Sequence, residues 1–464
     1  VSSSVDDPYA LAKTLNVDSS KWPQNLGAVR LAADLKGTMD DLSTDASVNA
    51  FGADIIVSGK VNELISGSAL DNLAMRVKHP NLSRLLKNVG ASAPAYAAMN
   101  EPVDASFVLG LDGKAVKLGN IKAKVAGTDL SGALRYDGSA GKPSLSGDLK
   151  FSALTLKTAG VRSSGGGGSA SSGGGKWSTA PMNTGWLHAA NADLDITGER
   201  LIYESWDVSK PSLQMVMQNG ALDIKDMKGG MFGGQLALQS KASSANASAP
   251  LNVSTVANIG NVNIGKLAET LSGSKKLNGD GTVSLAMDVK GAGGSQKALI
   301  ESLAGSAKLD GTNVILKGFD LAGLASALLE SNKPLPRVQQ LVNASSSGGQ
   351  TAFDTIKGDY NIQNGVVSIS TMALDGEAAS IASKGRADIG RWYIDTVHTV
   401  TLNKAKDVDP FDVTIKGPLN NPANTFGSGI FNTYLNEKLG SKINELIGDK
   451  VSPDVSNVLQ QFGV

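Results

Sequence analysis

Much of this chain alternates apolar and polar residues with a period of two. The run 354–370 reads Asp-Thr-Ile-Lys-Gly-Asp-Tyr-Asn-Ile-Gln-Asn-Gly-Val-Val-Ser-Ile-Ser, and 379–389 and 392–402 continue in the same way. Apolar side chains at every second position, broken at Gly-containing dipeptides, are the pattern of half-buried antiparallel strands joined by tight turns. Each such strand has one apolar and one wetted face. The pattern recurs over most of 464 residues, so something must cover a great deal of apolar face.

Composition argues against one deep core. Glycine is abundant at 54 residues and aromatics are only 5%, whereas thick interiors are normally filled with Phe, Tyr and Trp. Leu, Val, Ile, Ala and Met suit a thin, extended apolar surface. The predicted fold class is mainly β: an elongated, curled antiparallel sheet forming a groove or trough, with a few short helices and two amphipathic helices at the C-terminus.

Charge excludes some partners. With 43 basic and 43 acidic residues the formal net charge is zero, so there is no electrostatic footprint for nucleic acid and no polybasic run for an anionic bilayer. The lack of cysteine fits either a reducing cytosol or a periplasm. No stretch of 18 apolar residues occurs, so any membrane anchor is expected outside this sequence.

Four segments are expected. Residues 1–162 form the first part of the sheet, with short helices. Residues 163–175 are a Gly/Ser-rich segment, read as a flexible loop in preference to an engineered joint. Strand patterning resumes at Asn191, and 176–428 form the second part. In 429–464, Ile430, Phe431, Tyr434, Leu435, Leu439, Ile443, Leu446 and Ile447 recur at spacings of three and four, which predicts amphipathic helices. Capping the last strand, around Phe411 to Ile415, is their simpler role, and docking on a partner or membrane the other. Shorter helices are predicted over 8–15, 80–89, 264–271, 296–303 and 320–330. Eight Asn-Gly or Asp-Gly pairs, ending at Gly113, Gly138, Gly220, Gly279, Gly281, Gly311, Gly365 and Gly376, are read as hairpin turns.

Catalytic and metal signatures are missing. His79, His188 and His398 lie far apart, and the carboxylate pairs Asp193/Asp195 and Asp407/Asp409 have the spacing of one solvated strand face. No nucleophile elbow, P-loop or dinucleotide fingerprint is present. Ser272-Gly-Ser-Lys275 lies in a Gly/Ser-rich turn without companion motifs. The expectation is a non-enzymatic protein with no cofactor and no metal.

Two runs carry a family resemblance. Residues 277–293, Leu-Asn-Gly-Asp-Gly-Thr-Val-Ser-Leu-Ala-Met-Asp-Val-Lys-Gly-Ala-Gly, are followed by 299–321 with Leu-Ala-Gly-Ser-Ala and Gly-Phe-Asp-Leu. Together with Thr351 to Val367 they resemble the C-terminal region of the AsmA family of Gram-negative envelope proteins, over 277–402. Lys142-Pro-Ser-Leu-Ser-Gly-Asp-Leu is similar to an earlier strand of that family. The resemblance implies a periplasmic protein anchored in the inner membrane, with a repeating β-groove related to bridge-like lipid carriers. It also implies a role in phospholipid transport or outer-membrane homeostasis.

The residue pattern leads independently to the same partner. An apolar sheet face with too few helices must be covered by a second sheet or by a ligand, and phospholipid acyl chains are the expected ligand. Lining positions are expected at Met215, Met217, Leu236, Leu238, Leu285, Met287, Val289, Ile362, Val367, Ile369, Ile381, Ile394 and Val413. Strands of six to eight residues, about 20 to 26 Å, are anticipated. An envelope protein docking on the C-terminal helices is a second candidate partner. A structural or adhesive β-protein without lipid is the competing reading.

Overall fold

The structure, a computed structural model, describes residues 2–14, 27–38, 41–62, 72–88, 100–112, 115–125, 127–139, 141–156, 176–273, 279–329, 348–406 and 408–426. The expected helices of 429–464 lie outside them. The fold is mainly β, an open curled antiparallel sheet with few short helices. Contacts divide the chain into a first unit of Val1–Ser171, Met182–Met231 and Leu236–Val253, and a second of Ser172–Pro181, Phe232–Gln235 and Ser254–Val464.

The first unit opens with β1 (Ser2–Val5), α1 (Pro8–Thr14), β2 (Val29–Thr38), β3 (Asp41–Ala50), β4 (Ala53–Asn62), β5 (Leu73–His79) and α2 (Leu82–Asn88). It continues through β6 (Val103–Asp112), β7 (Ala115–Val125), β8 (Thr128–Asp137), β9 (Ser144–Leu156), α3 (Trp186–Ala189), β10 (Asn191–Tyr203), β11 (Trp206–Gln218) and β12 (Ala221–Met231). Each pairs with its successor antiparallel, except that β9 and β10 run parallel, Leu145 opposite Ala192. This one pair departs from the expectation of an antiparallel sheet. The connection over 157–190 exceeds the dozen or so residues a parallel crossover needs.

The boundary between units runs through β13 (Gly234–Ser243) and β14 (Leu251–Asn263). The second unit contains α4 (Ile264–Ser272), β15 (Gly279–Gly293), α5 (Gln296–Glu301), β16 (Ala304–Lys317), α6 (Leu321–Leu329), β17 (Gln350–Gln363) and β18 (Val366–Asp375). It ends with β19 (Ala379–Asp388), β20 (Tyr393–Leu402), β21 (Phe411–Pro418) and β22 (Ala423–Phe426). Its strands from β15 onward pair antiparallel in chain order. Because β22 pairs with β21, the strand around Phe411 to Ile415 is not the open edge the sequence suggested.

Local chemistry explains the helix ends. Asn263 Oδ1 accepts the Lys266 N–H at 2.9 Å, and Gly273 closes α4 in the left-handed region. Ser295 caps α5 by accepting from Ala298 N–H. Asp320 Oδ1 caps α6 by accepting the Gly323 N–H at 2.8 Å, and the helix is also tied to β17, since Leu321 N–H donates to Thr351 Oγ1, which in turn donates to the Phe319 carbonyl. Phe353, Val314, Leu321 and Leu324 are buried around that end of β17. Elsewhere in the unit Trp177 Nε1 donates to the Ile389 carbonyl and meets Trp392 edge-on at 5.7 Å.

The turn expectation holds in part. Asn219-Gly220 and Asn364-Gly365 have both residues at positive φ and join hairpins, as expected. Gly279, Gly281 and Gly311 instead lie inside strands. A Cβ on Gly311 would strike the side chains of Val283 and Ile356 on the flanking strands, so the glycine is a packing device. Other tight turns use Phe51, Glu204 and Phe232 at positive φ, which no dipeptide rule selects. Most strands have 10 to 15 residues, longer than anticipated, because many continue past an internal Gly or Ser that dilutes the alternation.

Candidate functional site

Cross-strand partners share a face, so register turns the expected lining residues into surfaces. In the second unit one row runs Val289, Gly305, Ile362, Val367, Ala387, Ile394 and Gly417 from β15 to β21. The next runs Met287, Ala307, Tyr360 and Ile369, the third Leu285, Leu309, Gly358 and Met372. A fourth joins Val283, Gly311, Ile356, Leu374, Ile381, Val400 and Phe411. Val413 stands opposite His398, one position from this row along the same face. All nine candidates of this unit therefore lie on one apolar face.

The first unit repeats the arrangement. Leu73, Leu109, Leu118, Leu134, Gly147, Leu194, Met215 and Ile224 are successive partners from β5 to β12. Beside them run Leu145, Ala192, Met217 and Leu222. Met215 and Met217 thus sit on one face, as expected. Leu236 and Leu238 occupy alternate positions of β13, both half-buried.

Part of this face is buried within the protein, at Val283, Leu285, Ile356, Ile362, Leu374, Val400, Phe411 and Val413. Among the described residues α4 and α5 lie against β15, α3 touches β11, and α6 touches β17 and β20. Met287, Val289, Val367, Ile369, Ile381 and Ile394 are half-buried, whereas their chain neighbours Asp288, Ser368 and Ala382 are exposed. No described helix is long and apolar enough to cross a membrane.

The opposite face is polar. In the first unit Arg76, Ser106, Lys122, Ser131 and Lys150 are successive partners lining an open recess of about 690 Å³. Some of its charges are paired internally: Arg76 donates to both Asp104 oxygens at 3.0 and 2.8 Å, and Lys150 is 3.4 Å from Glu199. The Arg76 bond holds the Asp104 carboxyl below its ordinary range. Asp193 and Asp195 are exposed on the polar face of β10. Among the described residues no cluster of three His, Cys, Asp or Glu could hold a metal.

A polar cluster interrupts the apolar face of the second unit. His398 lies on it, half-buried, with Ser383 Oγ 2.7 Å from Nδ1 and Thr396 Oγ1 2.9 Å from Nε2. Burial pushes the imidazole below its ordinary pKa. The sequence reading sets His398 aside as an isolated histidine; Ser383 is its direct partner across the β19–β20 ladder. The other histidine with a defined role is His79, whose Nδ1 accepts the Asn81 N–H while Nε2 meets the Phe51 carbonyl. That leaves His79 a fastener for the Phe51 turn.

The geometry defines a class: an open-sheet β-protein with a broad, continuous apolar face in each unit. The chain matches the AsmA family over residues 36–372, most of its length, and belongs to that family. Its family is envelope-associated. The match extends further toward the N-terminus than the run that carries the resemblance in sequence. No curated protein and no solved structure matches the chain.

Proposed function

We propose that this chain is a periplasmic, non-enzymatic part of an envelope protein, anchored to the inner membrane through a segment outside this sequence. It shields phospholipid acyl chains on the apolar faces of its sheet and supports lipid transport or outer-membrane homeostasis. The observation that carries the reading is the unbroken succession of apolar partners, eight strands from Leu73 to Ile224 in one unit and seven from Val283 to Phe411 in the other. Such rows fit flexible hydrocarbon better than a protein partner, because Met215 in the first and Met217, Met287 and Met372 in the rows beside them adapt to varied shapes.

Energetics give the face its use. At about 0.8 kcal/mol per methylene, a sixteen-carbon chain costs on the order of 12 kcal/mol to expose to water. A continuous apolar strip lowers that barrier with no catalytic group, while headgroups stay in water. Strands of 10 to 15 residues span about 33 to 50 Å, enough for an extended acyl chain to lie along one strand.

Native mass spectrometry of the protein purified from membranes tests the reading. Wild type should retain phospholipid, and Ile369→Lys should lose it while keeping the β-sheet spectrum. A lipid-free wild type would overturn the proposal in favour of a structural or adhesive β-protein.

A further inference from the structure

The polar cluster on β19 and β20 joins three side chains through the imidazole of His398. Its three side chains carry three polar hydrogens: two hydroxyls and one N–H of a neutral ring. If Nδ1 carries the proton, it donates to Ser383 Oγ, Thr396 donates to Nε2, and the Ser383 hydroxyl hydrogen has no acceptor among the described residues. If Nε2 carries it, Ser383 donates to Nδ1 and Thr396 is left with the Ile415 carbonyl at 3.5 Å, a bond at the limit of length. Either tautomer leaves one donor poorly used. Ser383 and Thr396 are largely buried, at 8% and 4% exposure, and the half-buried His398 is the member of the cluster most open to the face.

The backbone around the cluster is adapted too. The adjacent β18 carries an extra residue, since Tyr360 faces Ile369 while Asp359 faces Thr371. Such bulges re-aim side chains and concentrate beside functional sites. Gly385, opposite Thr396, presents no side chain between the cluster and the next row.

We propose that Ser383, His398 and Thr396 form a polar seat in the apolar face that donates to the ester or carboxyl oxygen of an acyl lipid and fixes where the lipid rests. This rests on the lipid-shielding reading. An oxygen acceptor is selected because the cluster has a hydroxyl hydrogen poorly used, and an acyl ester or carboxylate brings acceptor oxygens and no donor to an apolar face. The seat gives position; the apolar rows give affinity.

The test uses the whole chain and displacement of N-phenylnaphthylamine, an apolar dye without oxygen, by myristic acid and methyl myristate. Ser383→Ala and His398→Leu should each bind the dye as wild type does, but require on the order of tenfold more acid or ester, the effect of one lost hydrogen bond. Ser383→Ala is the milder change and stays informative if His398→Leu disturbs folding. Unchanged displacement in Ser383→Ala would overturn the seat, as would equal loss of dye and ester. Wild type that binds neither dye nor ester would instead defeat the underlying lipid reading.

Discussion

Gly305 stands directly opposite Val289 with φ of 151°, and a Cβ there would lie 2.9 Å from the Val289 Cα and closer still to the Asp288 carbonyl. On its other side Gly305 faces Ile362. The row thus has a gap between two branched side chains, where the strands approach closely. Gly305→Ala should destabilise the protein by roughly 1 to 3 kcal/mol through backbone strain alone. Urea unfolding followed by circular dichroism checks this, and an unchanged midpoint would show that a side chain is accommodated there.

Photo-crosslinkers along the strands should separate the two faces. Probes at Val289, Val367 and Ile394 belong to one apolar row and should capture acyl chains, whereas probes at the exposed Asp288 and Ser368 should capture little. Capture from the second set alone would mean that the polar face carries the lipid.

The core beside α6 is a separate matter from ligand. Phe353 is 1% exposed and faces Val314, itself fully buried. Phe353→Ala should lower stability by about 3 to 5 kcal/mol, while conservative Thr351→Ser, which keeps the hydroxyl that bonds Leu321 and Phe319, should change it little. Denaturant midpoints of the two variants give the comparison.

The repeating face was legible because register preserves parity: residues two apart in sequence stay together however the strands pair. Hence the nine candidate positions from Leu285 to Val413 could be placed on one face from alternation alone. β3, with Leu42, Thr44, Ala46 and Val48, and β12, with Ile224, Met227 and Gly229, escape the same reading because small residues and a bulge blur the contrast. The parallel pairing of β9 with β10 was hidden, since no local signal states what a long connection returns to. So was the cluster at His398. Ser383 and Thr396 are hydroxyl residues at inward positions, where the alternation rule takes polarity to mean solvent.

His398 should also make stability depend on pH. Burial holds its folded pKa below the ordinary value near 6.5, so between the two values the unfolded chain binds more protons than the folded one. Stability then rises with pH in that window: the contribution of the neutral, hydrogen-bonded ring is complete above about 6.5 and declines as pH falls toward the folded pKa. Ser383 and Thr396 can both accept from a doubly protonated ring, which limits the loss but cannot replace the water a charged imidazole gives up. Thermal melts of wild type between neutral and mildly acidic pH should fall more steeply than those of His398→Leu. Parallel curves for the two proteins would show that the imidazole titrates alike in both states, and that burial has no grip on it.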